Sequence, residues 1–524
     1  MLFALALACV SSGATDDAVT IAPRTEMSVS SVDGLPQRAP GVVLLATLAA
    51  DNSMTVGGTV QAELWVDLDQ AGDSRYPFRY AVRDAAGQTL YQRTTSGPLI
   101  VREFLAYYGD LTGYQLLELF PLLGTFTVIV PLLENGATVE FQLRDDRGDY
   151  CTVGDYALAD VVVDDIGVSA AVTGVEALHE GGDPDNALDI VIVPDGYQEL
   201  ELDNFVADAA LVAGSLLDTS PLAEYRDTVN IHRVDVPSVE SGASYDCEGN
   251  CEMRDTAFDS FFPLELVNRA IGSNYRTTAV FQLDQWEVAR AASVVPWDIV
   301  LVIVNSEHDG GFAVHYSTVT NGMSNLGNIA GHELFHVLGQ LGDEYNADDC
   351  IRSDALGLPA NITDNPESPP WSHWIDDDTP LPTPDDNEYD EVVGAFESAY
   401  NCNDLYRPQQ SCMMRGSSST PDLCAVCAEL VTRRIFRYAD AALDATVTED
   451  TPGQYRFELT GVREDASVEW TLDDDVVGRD DVLVLGLDDV PNGNHTVTGR
   501  ATVESEFVLD DEGDLGTGWE WQVE

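Results

Sequence analysis

Three textures of apolar and polar positions succeed one another along the chain. From about 41 to 165, short runs such as Val60-Gln-Ala-Glu-Leu-Trp-Val66 and Thr138-Val-Glu-Phe-Gln-Leu143 alternate with period two between Gly and Asp turns, which predicts a β-sandwich. Between about 166 and 440 the period changes. Trp297-Asp-Ile-Val-Leu-Val-Ile-Val-Asn305 is continuously apolar and rich in β-branched residues, as a strand covered on both faces should be. Gly310-Gly-Phe-Ala-Val-His-Tyr-Ser-Thr-Val-Thr320 alternates instead, and reads as one edge strand entered through a glycine pair. Beyond 441 the short alternating runs return in Tyr455–Leu459, Ala466–Leu472 and, after the Pro491-Asn492-Gly493 turn, His495–Val503, the texture of an immunoglobulin-like module. Leu116–Leu133 comes closest to a membrane span, but Glu118, Pro121, Gly124 and Pro131 interrupt it, and its Thr125–Val130 portion reads as a strand.

Inside the middle region lies Asn328-Ile-Ala-Gly-His-Glu-Leu-Phe-His-Val-Leu-Gly-Gln-Leu-Gly-Asp-Glu-Tyr-Asn346. Helical spacing places His332 and His336 on one face a turn apart, so both imidazoles can reach one tetrahedral Zn²⁺. Glu333 points aside, where it can hold and deprotonate a metal-bound water without ligating the metal, the general-base role in peptide hydrolysis. The bland alternative is an amphipathic helix with merely satisfied histidines. Such a site needs a third protein ligand. Gly339 allows the helix to stop and the chain to turn back, but the metzincin spacing HExxHxxGxxH falls on Gly342, which has no side chain. Asp343, one residue on, is the favoured third ligand; Glu344, or Glu391 from a helix over Asn387–Glu397, are the alternatives. Tyr345 is either an oxyanion stabiliser or a packed aromatic.

Several separate segments carry a family resemblance: Ile190-Val-Ile-Val-Pro-Asp-Gly-Tyr197, Asn230-Ile-His-Arg-Val-Asp-Val with Ser238-Val-Glu-Ser-Gly242, the HELFHVLGQLGDEY string, and Ser411-Cys-Met-Met-Arg415 with Cys424-Ala-Val-Cys427. Together they make the chain resemble the metallopeptidases typified by bacterial immunoglobulin A peptidases, over roughly 185–440. The resemblance implies an α/β zinc-peptidase domain in which His332 and His336 bind zinc, Glu333 is the base and the Asp343-Glu344-Tyr345 triplet supplies the third ligand. It does not specify a substrate. Ser411–Arg415 is similar to the turn whose methionine floors the metal in metzincins, with Met414 ahead of Met413; a core methionine is the plain alternative.

The start, Met1-Leu-Phe-Ala-Leu-Ala-Leu-Ala-Cys9, is apolar with small residues before a cysteine. It looks like the end of a bacterial lipoprotein signal, although it lacks a positively charged leading region, and it implies a lipid on Cys9. An ordinary secretory leader is the alternative. Cys151, Cys247, Cys251, Cys350, Cys402, Cys412, Cys424 and Cys427 remain. An even number in an exported chain predicts disulfides, with Cys424 and Cys427 among them; either Cys151 pairs with the middle region or two thiols stay free.

The 25 basic residues, none of them lysine, against 91 acidic ones give a net charge of −66. That field excludes nucleic acid as a partner and disfavours polybasic membrane contact. A solvated surface, salt adaptation or bound Ca²⁺ would account for it, the last at Asp376-Asp377-Asp378 or Asp385-Asp386-Asn387-Glu388. The expected organisation is therefore a signal segment over 1–9, a linker over 10–40, an N-terminal β-sandwich over 41–165, a zinc-metallopeptidase catalytic domain of α/β class over 166–440, and a C-terminal immunoglobulin-like β domain over 441–524. The expected activity is a zinc endopeptidase acting on extracellular protein or peptide substrates, from a cell-surface, periplasmic or secreted location. The competing reading is a non-catalytic surface-binding protein with a degenerate peptidase domain.

Overall fold

The computed structural model describes residues 29–31, 38–49, 53–60, 65–67, 78–95, 124–144, 149–160, 169, 171–245, 253–262, 279–313, 315–345, 358–400, 402–416, 422–486, 488–509 and 515–523. Strands dominate, gathered into several sheets, and helices are few. The signal-like segment with Cys9, and Cys247, Cys251 and Cys350, lie outside the described residues.

The sheet that matters for the site has six strands: β1 Gly174–Glu180, β2 Leu188–Asp195, β3 Val229–Asp235, β4 Ile299–Val304, β5 Gly311–Ala313 and β6 Ser317–Thr320. Their order is β1-β3-β2-β4-β6-β5. The four inner strands run parallel, and the two edges, β1 and β5, are antiparallel to their neighbours. Parallel strands need cover on both faces, hence unbroken apolar runs in place of alternating ones. β2 and β4 show this directly. Ile190, Ile192, Ile299, Leu301 and Ile303 enter one core with helices α1 (Leu202–Leu217), α3 (Leu326–Leu338) and α4 (Ala425–Ile435). Val191, Val193, Val300, Val302 and Val304 enter a second core with helix α2 (Gln285–Ala292) and the N-terminal strands.

The N-terminal strands form two sheets. One joins Arg38–Leu48 to Met54–Val60, Trp65–Asp67 and Thr125–Pro131, and the other orders Thr89–Thr95, Phe78–Arg83, Thr138–Arg144 and Tyr150–Ala157. Both the Thr125–Val130 and Thr138–Leu143 readings are strands as expected. At the other end, Trp470, Trp521 and Phe457 pack together between a five-stranded and a three-stranded sheet. Tyr225 joins these C-terminal strands to the helices by packing on Phe436 and Phe507 and donating to Ser505.

Some expectations fail locally. Val29–Ser31, inside the stretch read as linker, pairs with the last strand, Gly516–Val523. The single edge strand expected over 310–320 is two strands, β5 and β6, folded back on each other, because backbone hydrogen bonding at an edge rewards a hairpin that side-chain alternation cannot reveal. No helix spans Asn387–Glu397. A short 3-10 turn, Asn387–Tyr389, gives way to the strand Phe396–Ala399; the acidic side chains there face solvent, so no apolar stripe exists to hold a helix down.

Candidate active site

Helix α3 is buried nearly all round, against α1 on one side and β5 and β6 on the other. Its His332 and Glu333 are only 7% and 8% exposed. The Nδ1 of His332 is 3.1 Å from the carbonyl oxygen of Met413, and the Nδ1 of His336 is 2.7 Å from that of Leu341. A carbonyl only accepts, so both Nδ1 atoms carry the proton, and in the neutral rings both Nε2 atoms are bare. These two Nε2 atoms nevertheless face each other at 3.1 Å. The Oδ1 of Asp343 lies 3.2 Å from one and 3.3 Å from the other. Three lone pairs thus converge, and Oδ1 has no hydrogen-bond donor of its own.

Such a cluster demands a positive charge in its middle. A proton can serve: burial alone would depress the His336 imidazolium, but the charge and hydrogen bond of Asp343 outweigh it and lift it to about 9. A divalent metal serves better, since it engages all three atoms at once. The donor set of two imidazoles and a carboxylate is one that zinc accepts.

Residues 176–391 match the family described as IgA Peptidase M64. That stretch of the chain is similar to the M64 peptidases. No curated protein matches the chain. The matched segment takes in the six-stranded sheet and α3, and ends before Met413.

Within this M64-like stretch, the missing side chain at the metzincin position has a steric cause. A Cβ on Gly342 would come within 2.6–2.7 Å of Ile362, Tyr400 and Pro359. Asn361 grips that glycine from both sides, accepting from its N–H at 2.8 Å and donating to its carbonyl at 3.0 Å. The turn is therefore one residue wider, and Asp343 is the side chain brought to the histidines. Glu344 points elsewhere, and Glu391 is exposed and outside the cluster. Gly339 does not turn the chain; Gln340 does, at φ 52°, while a Cβ on Gly339 would meet Leu341 and Val431 at 2.9 Å.

Tyr345 is partly buried beside Asp343. Its hydroxyl donates to Asp343 Oδ2 at 2.9 Å, which aims Oδ1 at the histidines. The two methionines of the Ser411–Arg415 turn make different contacts. Met413 lies against α3, its sulfur 3.6 Å from where a Gly331 Cβ would sit, and its carbonyl orients His332. Met414 is buried too, but its carbonyl accepts from Glu344 N–H. Backbone carbonyls as imidazole holders left no mark in the sequence.

Glu333 sits beside this cluster. Burial pushes its carboxyl above the usual range and Asp343 adds to that, with the two histidines opposing. The edge strand β5 runs directly past it: a Cβ at Gly311 would lie 3.1 Å from the Glu333 carboxyl carbon. Ser317 of β6 donates to the Glu333 carbonyl at 3.0 Å and ties the helix to the sheet. A carboxylate prepared to take a proton, three converging ligand atoms and the outermost described strand of the sheet therefore share one place.

The cysteines depart from expectation. Cys402 is in a disulfide, but Cys151, Cys412, Cys424 and Cys427 are free thiols. Cys424 and Cys427 do not join a disulfide framework, because they meet Cys412 and Glu344 instead. The proposed calcium clusters are exposed, and Asp385 is engaged by Arg407 at 3.1 Å.

Proposed function

We propose that this protein is a zinc-dependent endopeptidase that hydrolyses extracellular proteins or peptides, with His332, His336 and Asp343 as metal ligands and Glu333 as general base. The observation that carries the reading is the convergence of two bare Nε2 atoms and Asp343 Oδ1 next to the buried Glu333. Zinc held there supplies a Lewis acid that polarises a carbonyl and makes water acidic. Glu333 takes the proton of the attacking water and returns it to the leaving amine. Its raised proton affinity suits it to both halves of that transfer. Tyr345 keeps Asp343 aimed, and the carbonyls of Met413 and Leu341 keep both imidazoles in the tautomer that leaves Nε2 free. β5, last in the sheet order among the described residues, lies beside Glu333 where an extended substrate can add as a strand.

The same proposal takes 166–440 as an α/β zinc-peptidase domain flanked by all-β domains over 41–165 and 441–524, exported and held at a membrane by a lipid on Cys9. The acidic surface and the disulfide at Cys402 favour an oxidising exterior. The experiment is an unbiased peptide-library digest with the purified protein. Cleavage should stop when a chelator removes metal and return when Zn²⁺ is added. Cleavage that persists in metal-free protein would refute the assignment.

A further inference from the structure

Cys412, Cys424, Cys427 and Glu344 stand apart from the peptidase chemistry, and all four are buried. Three arrive from beyond the segment that matches the family, on the turn before Met413 and the start of α4. One ligand atom from each lies within 4.8 Å of every other. A tetrahedral zinc with bonds of about 2.3 Å to sulfur keeps its ligand atoms roughly 3.5–3.8 Å apart, so the spacing suits a single ion. An iron–sulfur cluster would hold its cysteines farther apart.

The hydrogen bonding points the same way. Glu344 Oε2 is buried with no partner, although the residue is 0% exposed. Its Oε1 accepts from Asn361 at 2.9 Å and faces Cys427 Sγ at 3.1 Å. Cys412 Sγ accepts the backbone N–H of Cys424 at 3.3 Å, the kind of bond that steadies a thiolate. Cys424 is the N-cap of α4 and Cys427 lies in its first turn, where the helix dipole favours negative sulfur. A carboxylate with a bare oxygen, packed among three sulfurs in the core, is costly unless a cation engages it. Soft sulfur ligands in a tetrahedral set select zinc among the common divalent ions.

We propose that Glu344, Cys412, Cys424 and Cys427 bind a second, structural zinc ion that pins the loop carrying Asp343 to the turn carrying Met413. The connection is short and covalent. Glu344 follows Asp343 directly, and Cys412 precedes Met413, whose carbonyl orients His332. Glu344 N–H also donates to the Met414 carbonyl at 2.9 Å. One ion therefore holds two of the supports of the first site while touching none of its ligand atoms. This assignment does not depend on the peptidase reading.

The test uses the full-length chain with His332→Ala and His336→Ala together, which removes the first site. Purified from zinc-supplemented cells, this protein should retain one zinc per chain where the wild type holds two. Its X-ray absorption should report a sulfur-dominated shell at about 2.3 Å. Cobalt substitution should give sulfur-to-metal charge-transfer absorption in the double variant, and adding Cys427→Ser should abolish it. Because a cysteine variant can also fail to fold, the unaltered protein gives an independent reading. Peptide mapping after a thiol reagent should show exposed Cys151 labelled at once, and Cys412, Cys424 and Cys427 labelled only after chelation. A zinc-free double variant, or a disulfide between any two of Cys412, Cys424 and Cys427 in peptide mapping, overturns the site. None of these readouts involves peptide cleavage, so an error in the proposed activity would not disturb them.

Discussion

Gly311→Ala tests whether the Glu333 carboxyl must sit where it does. The added methyl would lie 3.1 Å from Glu333 Cδ and 3.4 Å from its Cγ, and closer still to Oε1. Carbon atoms prefer about 3.5–4.0 Å, so the carboxyl or the strand must retreat by roughly 0.5–1 Å. Glu333 has little room to do so inside the packed helix, and β5 is held to β6 by its ladder. Gly311 has no left-handed backbone, so alanine meets no conformational penalty there. The loss should fall on the chemistry. Displacing a reacting group by about 1 Å costs on the order of 10²-fold in rate, and kcat on a peptide found in the library digest should drop by roughly 10- to 100-fold, with KM much less affected. Zinc content should stay near wild type, because the methyl's three nearest neighbours are atoms of Glu333 and none belongs to His332, His336 or Asp343. Unchanged kcat in a correctly folded, zinc-loaded Gly311→Ala protein would refute the placement of the base against the strand edge.

Asp343→Ala should abolish metal binding at the histidine site, whereas Tyr345→Phe, which removes only the hydrogen bond to Oδ2, should weaken zinc by about 10- to 100-fold in a competitive titration; equal affinities in Tyr345→Phe and wild type would remove Tyr345 from the account. His315 stacks on Phe126 at 5.7 Å, and burial lowers its pKa from 6.5 to about 4. Its folded value lies below its unfolded one, so the stability of the neutral ring is full above about pH 6.5 and is lost as pH falls toward 4. His315→Phe should therefore gain Tm relative to wild type across that window, by no more than about 3 kcal/mol equivalent, and a Tm difference independent of pH would contradict the burial. Cys9→Ser should move the protein from the detergent phase to the aqueous phase without loss of cleavage; a wild-type chain already wholly aqueous would end the lipid-anchor reading.

Much of the central sheet could be read in advance because burial on two faces leaves a plain signature. Trp297–Asn305 announced β4, and His495–Val503 matched a C-terminal strand from end to end. The pair His332 and His336 was legible because helix geometry is local. Asp343 was harder, since its position depends on Asn361 and Tyr400 crowding Gly342 from far along the chain. The fate of Cys412, Cys424 and Cys427 was not legible at all. Their count suggested disulfides, and only the fold brings Glu344 among them to make a different environment. The hairpin of β5 and β6 escaped for a related reason: alternation reports which side a residue faces, not where the backbone reverses.

Glu333→Gln tests the central claim most directly, because it removes the proton acceptor while keeping size, hydrogen-bonding capacity and all three ligand atoms in place. Zinc content and peptide cleavage should be measured on the same preparation. The account predicts wild-type zinc content with turnover reduced by about 10²-fold or more. Zinc retained together with near wild-type turnover would contradict it.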